Sequence, residues 1–439
     1  MRRRFFLFGR IISARKAFYR PDTGKELVHI AQVKDLVAAA KRGLQKLQTN
    51  AAFADKCLAL VVIGSLYLPS TVSGFTIIAA SFYVMANYQR WGKVFGAPYF
   101  KLLFGSFVFS FFISASYRNY MGMAMTLMLL AMMVYGMYLR SVMTRGLLDE
   151  MLDLACLMSV PAVLAAVLQK AVTFAADPSY RPVSFFNNAN YFGMMIEFTV
   201  AIILYRALRN RRALSMYTVL LGVNMLGLYL CGSMSALAAV SCGIFVFLLC
   251  KHRRKLAGLY GIVLVAFFAV NKVVPALFPR TEAISYTTDQ RLSIWHGAVS
   301  GILQTPLFGR GMRAYSIVHD LFGTYPTYHC HNLYLDCLLD FGILGSAVML
   351  IFGWYYLRGI IRRIRGRRAC NADLLFLTVL IMTLVHGCTD VTISWTQTGM
   401  LFFILFSATG VSLQRNRQTS LSVSHSYYHQ SPRTVKYYQ

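Results

Sequence analysis

Charge is scarce in this chain: 14% of its 439 residues are Asp, Glu, Lys or Arg, against 57% hydrophobic residues and a mean hydropathy of +0.53. A soluble domain of this size does not carry such a balance, so the sequence is that of an integral membrane protein. Acid is scarcer still, 16 carboxylates against 44 Lys and Arg, which leaves a formal net charge of +28. The short alternating runs of a membrane β-barrel are missing, and the apolar runs are about 18 to 25 residues long, so the spans are predicted to be helices. Cysteines are few outside the apolar runs, only Cys330 and Cys337 lying near the outer surface, which excludes an extracellular disulfide framework. No acidic cluster of metal-binding spacing faces outward, and His329, Cys330 and His331 are too close together to form a site alone, so no metal and no cofactor are predicted.

What is present is an all-α pattern of about twelve apolar spans, near residues 51–69, 71–89, 102–117, 119–139, 150–173, 189–205, 213–231, 234–250, 256–278, 332–357, 374–391 and 396–413. With both termini cytoplasmic, the basic clusters fall at Arg2 to Arg4, Arg90 and Lys93, Arg140 and Arg145, Arg206 to Arg212, Lys251 to Lys255 and Arg358 to Arg368. That is the positive-inside pattern, and it makes the charge a topology signal with attraction to anionic lipid as a second effect, not a nucleic-acid surface. Residues 1–50 form a basic arm whose Val33, Leu36, Val37, Ala40, Leu44 and Leu47 recur at helical spacing, as an amphipathic helix on the inner leaflet would require. Arg10 interrupts the first apolar run too early for a cleaved leader. The membrane domain runs from 51 to 414, and the Ser- and Tyr-rich segment 415–439 is predicted to be a disordered cytoplasmic tail.

Two outer connections are long, 174–188 and 279–331. The second is partly helical, with an amphipathic stretch from Asp289 to Leu303 stopped by Pro306 and followed by a turn that Gly309 and Gly311 permit. Outward cations are few, Arg118, Lys170, Arg181, Lys272, Arg280, Arg291, Arg310 and Arg313, and an outward Arg in so sorted a chain calls for an anion. Arg291 and Arg181 stand in or beside the long loops. His331 and Asn332 open the tenth span, where an imidazole can serve as a general base near neutral pH. In 386-HGCTD-390, His386 and Asp390 stand at helical i, i+4 spacing and are expected to orient one another, with a structural polar lock as the competing reading.

Taken in order, 291-RLSIWHGA-298, 306-PLFGRG-311 and 331-HNLYLDCLLDFGILG-345 resemble the core of the O-antigen ligase and O-antigen polymerase family of membrane glycosyltransferases. The segment 187-NNANYFGMMIEF-198 is similar to the family's Asn-rich entry to a span and 386-HGCTD-390 to its last outer motif, so the resemblance covers roughly residues 180–410. It implies transfer of an oligosaccharide from an undecaprenyl diphosphate carrier to a glycan or lipid-glycan acceptor hydroxyl outside the cytoplasmic (inner) membrane. His331 would be the base, Arg291 and Arg181 would hold the pyrophosphate, and Asn332, His386 and Asp390 would position substrate. The family often has Arg where 232-GSMSAL-237 has Met234, and Arg181 is the expected replacement. Polymerase is slightly preferred to ligase, since composition gives no sign of an outer-membrane acceptor. A twelve-span transporter or flippase is the alternative, but it should place its ionisable residues near the bilayer midplane rather than crowd one face.

Overall fold

The computed structural model describes residues 50–273 and 284–411; the basic arm, the tail and the segment 274–283 lie outside the described residues. The chain divides into two compact units, Met1–Cys57 and Leu58–Gln439. Fifteen α-helices are described: α1 Ala51–Ser65, α2 Ser70–Met85, α3 Tyr88–Phe95, α4 Phe100–Ser116, α5 Tyr120–Val142, α6 Arg145–Thr173, α7 Ala189–Arg209, α8 Leu214–Cys231, α9 Met234–Cys250, α10 Arg254–Val273, α11 Ile284–Gln304, α12 Tyr315–Phe322, α13 Leu333–Arg365, α14 Asn371–His386 and α15 Thr396–Ser407. No strand occurs among the described residues.

Every expected span contains a helix, but the count of twelve is not supported. Among the described residues, five helices are long and apolar enough to cross a bilayer: α5, α6, α7, α13 and the Arg211–Cys231 stretch that contains α8. The pair α3 and α4, bent by 99°, makes a sixth if it is one broken span. Several apolar runs read as spans are broken before they reach full length: α15 has 12 residues, about 18 Å of rise against a hydrocarbon core of about 30 Å. The expected run 374–391 likewise stops being helix at His386, where Gly387 caps it. The chain is a multi-pass helical membrane protein whose helices break at the places that build polar structure.

The most enclosed helix is α7, which packs against α6, α8, α9, α14 and α15. Its far end carries Arg206, buried and paired with Asp149 at 2.5 Å and Asp153 at 2.7 Å, a satisfied cluster rather than a lone buried charge. Arg140, Lys251 and Arg363 lie at that same end, bonded to Thr409, Asn371 and Asp373. The basic clusters therefore gather opposite the end where α7, α9, α13 and α15 begin.

The turn between α11 and α12 is stitched into a break in α13. Gly342 has φ 62° and ψ −173° inside that helix, which frees carbonyls and amides for another segment. The amides of Arg310 and Gly311 donate to Leu339 O (3.0 Å) and Asp340 O (2.8 Å), and those of Ile343 and Leu344 to Pro306 O (2.8 Å) and Leu307 O (3.1 Å). Any Cβ on Gly342 would strike the Leu307 carbonyl, in a backbone region that is essentially glycine's alone. Gly342→Ala should lower stability by about 1–3 kcal/mol or more, while Gly353→Ala, which meets nothing within 4 Å, should be neutral or slightly stabilising in the same helix. Thermal unfolding in detergent measures both, and equal melting temperatures would contradict the stitched break.

Candidate functional site

The histidine loop is positioned by a buried anchor. Cys330 is fully buried; its amide donates to Asp336 Oδ1 (3.0 Å), and its carbonyl accepts the Trp295 indole N–H (3.1 Å). His329 and His331 flank it, their ring centroids 4.2 Å apart. Asn332 then caps α13, its side-chain oxygen accepting the amides of Tyr334 (3.0 Å) and Leu335 (3.1 Å) while its Nδ2 donates to Cys388 O (3.2 Å). His331 itself sits at φ 46°, a left-handed conformation that costs a non-glycine residue energy and fixes where its ring is held.

Both rings face one carboxylate. Asp390, nearly solvent-free, has Oδ1 at 3.2 Å from His329 Nε2 and 3.6 Å from His331 Nδ1. Neither contact has hydrogen-bond alignment, so the attraction is electrostatic. Oδ1 also accepts the Val391 amide at 2.8 Å, and Oδ2 accepts Asn190 Nδ2 at 3.1 Å. Burial alone would raise the Asp390 pKa, but the two imidazoles outweigh it and hold the carboxyl well below the usual carboxylate range. Burial pushes the His329 imidazole below its ordinary value, against the opposing pull of Asp390.

Arg181 enters through the same network. Its Nη2 donates to Asn190 Oδ1 (2.7 Å) and its Nε to Cys231 O (2.7 Å), which lays the side chain along Gly232, two residues before Met234. The guanidinium thus occupies the neighbourhood of the position where an Arg was expected and Met234 stands. Arg291, half-buried on α11, makes no hydrogen bond or ion pair among the described residues, and its charge acts on the His386 ring.

One pairing differs from expectation. His386 does not orient Asp390: its Nδ1 lies 2.8 Å from Glu197 Oε2, both groups fully buried, while Asp390 serves the other two histidines. The reason is local, since α14 ends at His386 and the Glu197 carboxylate on α7 takes its ring, while Asp390, past the helix end, turns to His329 and His331. Ser235 and Thr389, hydroxyl to hydroxyl at 2.6 Å, tie the start of α9 to this turn.

Three further side chains gather here without standing out in the sequence as site residues. Glu197 was legible only as a lone carboxylate inside an apolar run, a signal that by default marks function or a buried partner. His329 reads as a loop residue until Asp390 arrives from another helix. Arg313 is 3% exposed, sits at φ 59° with its backbone amide donating to Asp340 Oδ2 (3.0 Å), and its guanidinium stacks 4.2 Å from the Trp395 ring centroid. Trp395 in turn meets His329 edge-on at 5.4 Å, and Arg313 Nη1 has no hydrogen-bond partner. A buried, unpaired guanidinium nitrogen beside the histidines is suited to an anionic group supplied from outside.

The arrangement has two chemical capacities. The N-termini of α7, α9, α13 and α15 meet here, and their helix dipoles favour an anion. The donor atoms of His329, His331 and Asp390 lie within 4.8 Å of one another and fit a divalent ion. His329, Cys330 and His331 alone are too close together to form a metal site, and Asp390 adds a third donor to the two histidines from a distant turn.

The Glu197–His386 pair gives a direct test of lock against chemistry. Glu197→Ala, which leaves the imidazole without its partner, should cost about 3–5 kcal/mol. Glu197→Leu with His386→Leu should recover most of that loss in thermal unfolding. If the double variant stays as unstable as the single one, the pair is not a self-contained lock.

No curated protein matches the chain. The family model described as O-antigen ligase matches residues 216–350, a segment that holds Met234, Arg291, Arg313, His329, His331 and Asn332. Arg181, Glu197, His386 and Asp390 stand outside the matched segment but meet it in space. Over residues 216–350, about a third of its length, the chain is thus similar to the O-antigen ligase family.

Proposed function

We propose that this protein transfers an undecaprenyl-diphosphate-linked oligosaccharide to an acceptor hydroxyl at the outer face of the cytoplasmic membrane, with both chain termini inside and polymerase slightly preferred to ligase. The observation that carries the reading is the meeting of His331 with a buried Asp390 carboxylate, where several helix N-termini point, with the Arg313 guanidinium, its Nη1 unbonded, stacked on the Trp395 ring that packs against His329. With His331 Nδ1 turned to Asp390, its Nε2 is the nitrogen left for substrate. That nitrogen takes the proton of the acceptor hydroxyl as its oxygen attacks the anomeric carbon. The bond from that carbon to the diphosphate oxygen breaks, and its electron pair leaves on the carrier diphosphate. Arg291 and Arg313, with Arg181 behind them, stabilise the charge that develops there. A single displacement inverts the anomeric centre. Asn332 holds the imidazole's register as the cap of α13, and His386 and Asp390 position the groups in front of them.

Since arginines supply the positive charge, the displacement is read as metal-independent, although the three-donor set could seat an ion at the expense of His331. The test uses purified protein with an undecaprenyl diphosphate oligosaccharide as sole substrate, chelator present, and products analysed by mass. A ladder of lengthened lipid-linked glycans is expected, absent from His331→Ala. If turnover needs a candidate acceptor and releases the carrier diphosphate, the enzyme is a ligase; consumption of nothing would favour a transporter. Turnover abolished by chelator and restored by a divalent metal would overturn the metal-free mechanism. Arg291→Lys and Arg313→Lys keep the charge but lose the planar fork, and each should reduce turnover about 10²-fold or more with normal membrane insertion; unchanged turnover in either would remove that residue from the site.

A further inference from the structure

At the end of the bundle opposite the histidines, a cavity of about 410 Å³ opens between α3, α5 and α13. Lys93, Arg140, Arg362 and Arg363 line it, with Tyr355 and Tyr356, and no acidic side chain does. Asp373 stands behind Arg363 and neutralises it through bonds of 2.8 and 2.6 Å. Arg140 is fixed rather than neutralised: Nη1 donates to Thr409 Oγ1 at 2.7 Å, and its guanidinium lies 5.0 Å from the Tyr356 ring centroid. Lys93 and Arg362 have no carboxylate partner among the described residues. Three uncompensated cations therefore face one small space, an arrangement that like charges resist unless an anion enters.

The surroundings fit a lipid. Helix α3 turns away from α4 by 99° and carries Tyr88 and Trp91 exposed, with Tyr99 at the bend packed edge-on to Tyr355 at 5.2 Å. Such amphipathic rings mark the depth of the headgroups. One turn from Tyr355 toward the other end of α13, Leu350, Ile351 and Trp354 are exposed and apolar, a surface for acyl chains.

We propose that this cavity binds a phosphate group, carried there by the headgroup of an anionic phospholipid. Arg362 and Lys93 meet the phosphate oxygens from two sides, Arg140 closes the base, and the acyl chains lie along α13. The inference is independent of the reaction at the other end.

Native mass spectrometry of the full chain in detergent tests it, with phosphatidylglycerol, zwitterionic phosphatidylcholine and inorganic phosphate as probes. Wild type should retain phosphatidylglycerol in preference to phosphatidylcholine. Lys93→Gln with Arg362→Gln should weaken that retention by about tenfold or more, while Arg211→Gln with Arg254→Gln, exposed at other connections, should leave it within about twofold. Arg362→Lys, which keeps the charge, should retain the lipid and shows that loss in the double variant is not misfolding. Displacement of the lipid by millimolar inorganic phosphate would assign recognition to the phosphate alone; failure to displace it would assign recognition to headgroup and chains together. Unchanged retention after Lys93→Gln with Arg362→Gln, or an equal loss in the Arg211 and Arg254 variant, would overturn the proposal.

Discussion

A carboxylate taken out of water must be met by donors or cations on every side, or it takes up a proton instead. Asp390 is such a group, and the site is arranged around meeting it. Its two oxygens face His329, His331, the Val391 amide and Asn190, and through Asn190 the contact extends to Arg181. Four separate chain segments are thereby brought to one point. Without Asp390, two imidazoles and the Asn190 amide side chain would have no common partner.

The backbone around this point is built to the same end. Asp336 and Asp340, one turn apart on α13 and both buried, hold the Cys330 amide and the amides of Arg313 and Ala314. The same short helical stretch thus positions the histidine loop and the arginine turn. Gly342 breaks that helix just beyond, so that the turn from Pro306 to Gly311 can bond to it. The bonds lost where the helix breaks are replaced by four backbone bonds to the turn, which tie the loop to α13. Rigidity of this kind suits a site that must hold charge in place while a bond breaks.

Hydropathy made the helical character, the membrane setting and the positions of the helices legible, because each depends on runs of apolar side chains along the chain. It did not make the number of full spans legible, since a run of apolar residues looks alike whether its helix is continuous or stopped by Gly387 or broken at Gly342. Arg291, His331, Asn332 and Arg181 stand out in the sequence by their place at loop ends and by a resemblance. Glu197, His329 and Arg313 were harder, for their significance lies in partners far off in sequence: His386 for the first, Asp390 for the second, Trp395 for the third. The expected pairing of His386 with Asp390 failed for a related reason. Helical spacing counts only where the helix continues, and it ends at His386.

The account places the donor's diphosphate at this end, against Arg291 and Arg313 and beside the first turns of α7 and α9, with His331 free to take a proton. Its most direct measurement is a cryo-EM structure of the protein with undecaprenyl diphosphate bound. The account predicts density for the diphosphate within hydrogen-bond distance of both guanidinium groups and no metal between His329, His331 and Asp390. Diphosphate bound away from these arginines, or a metal ion held by the two histidines and Asp390, would contradict it.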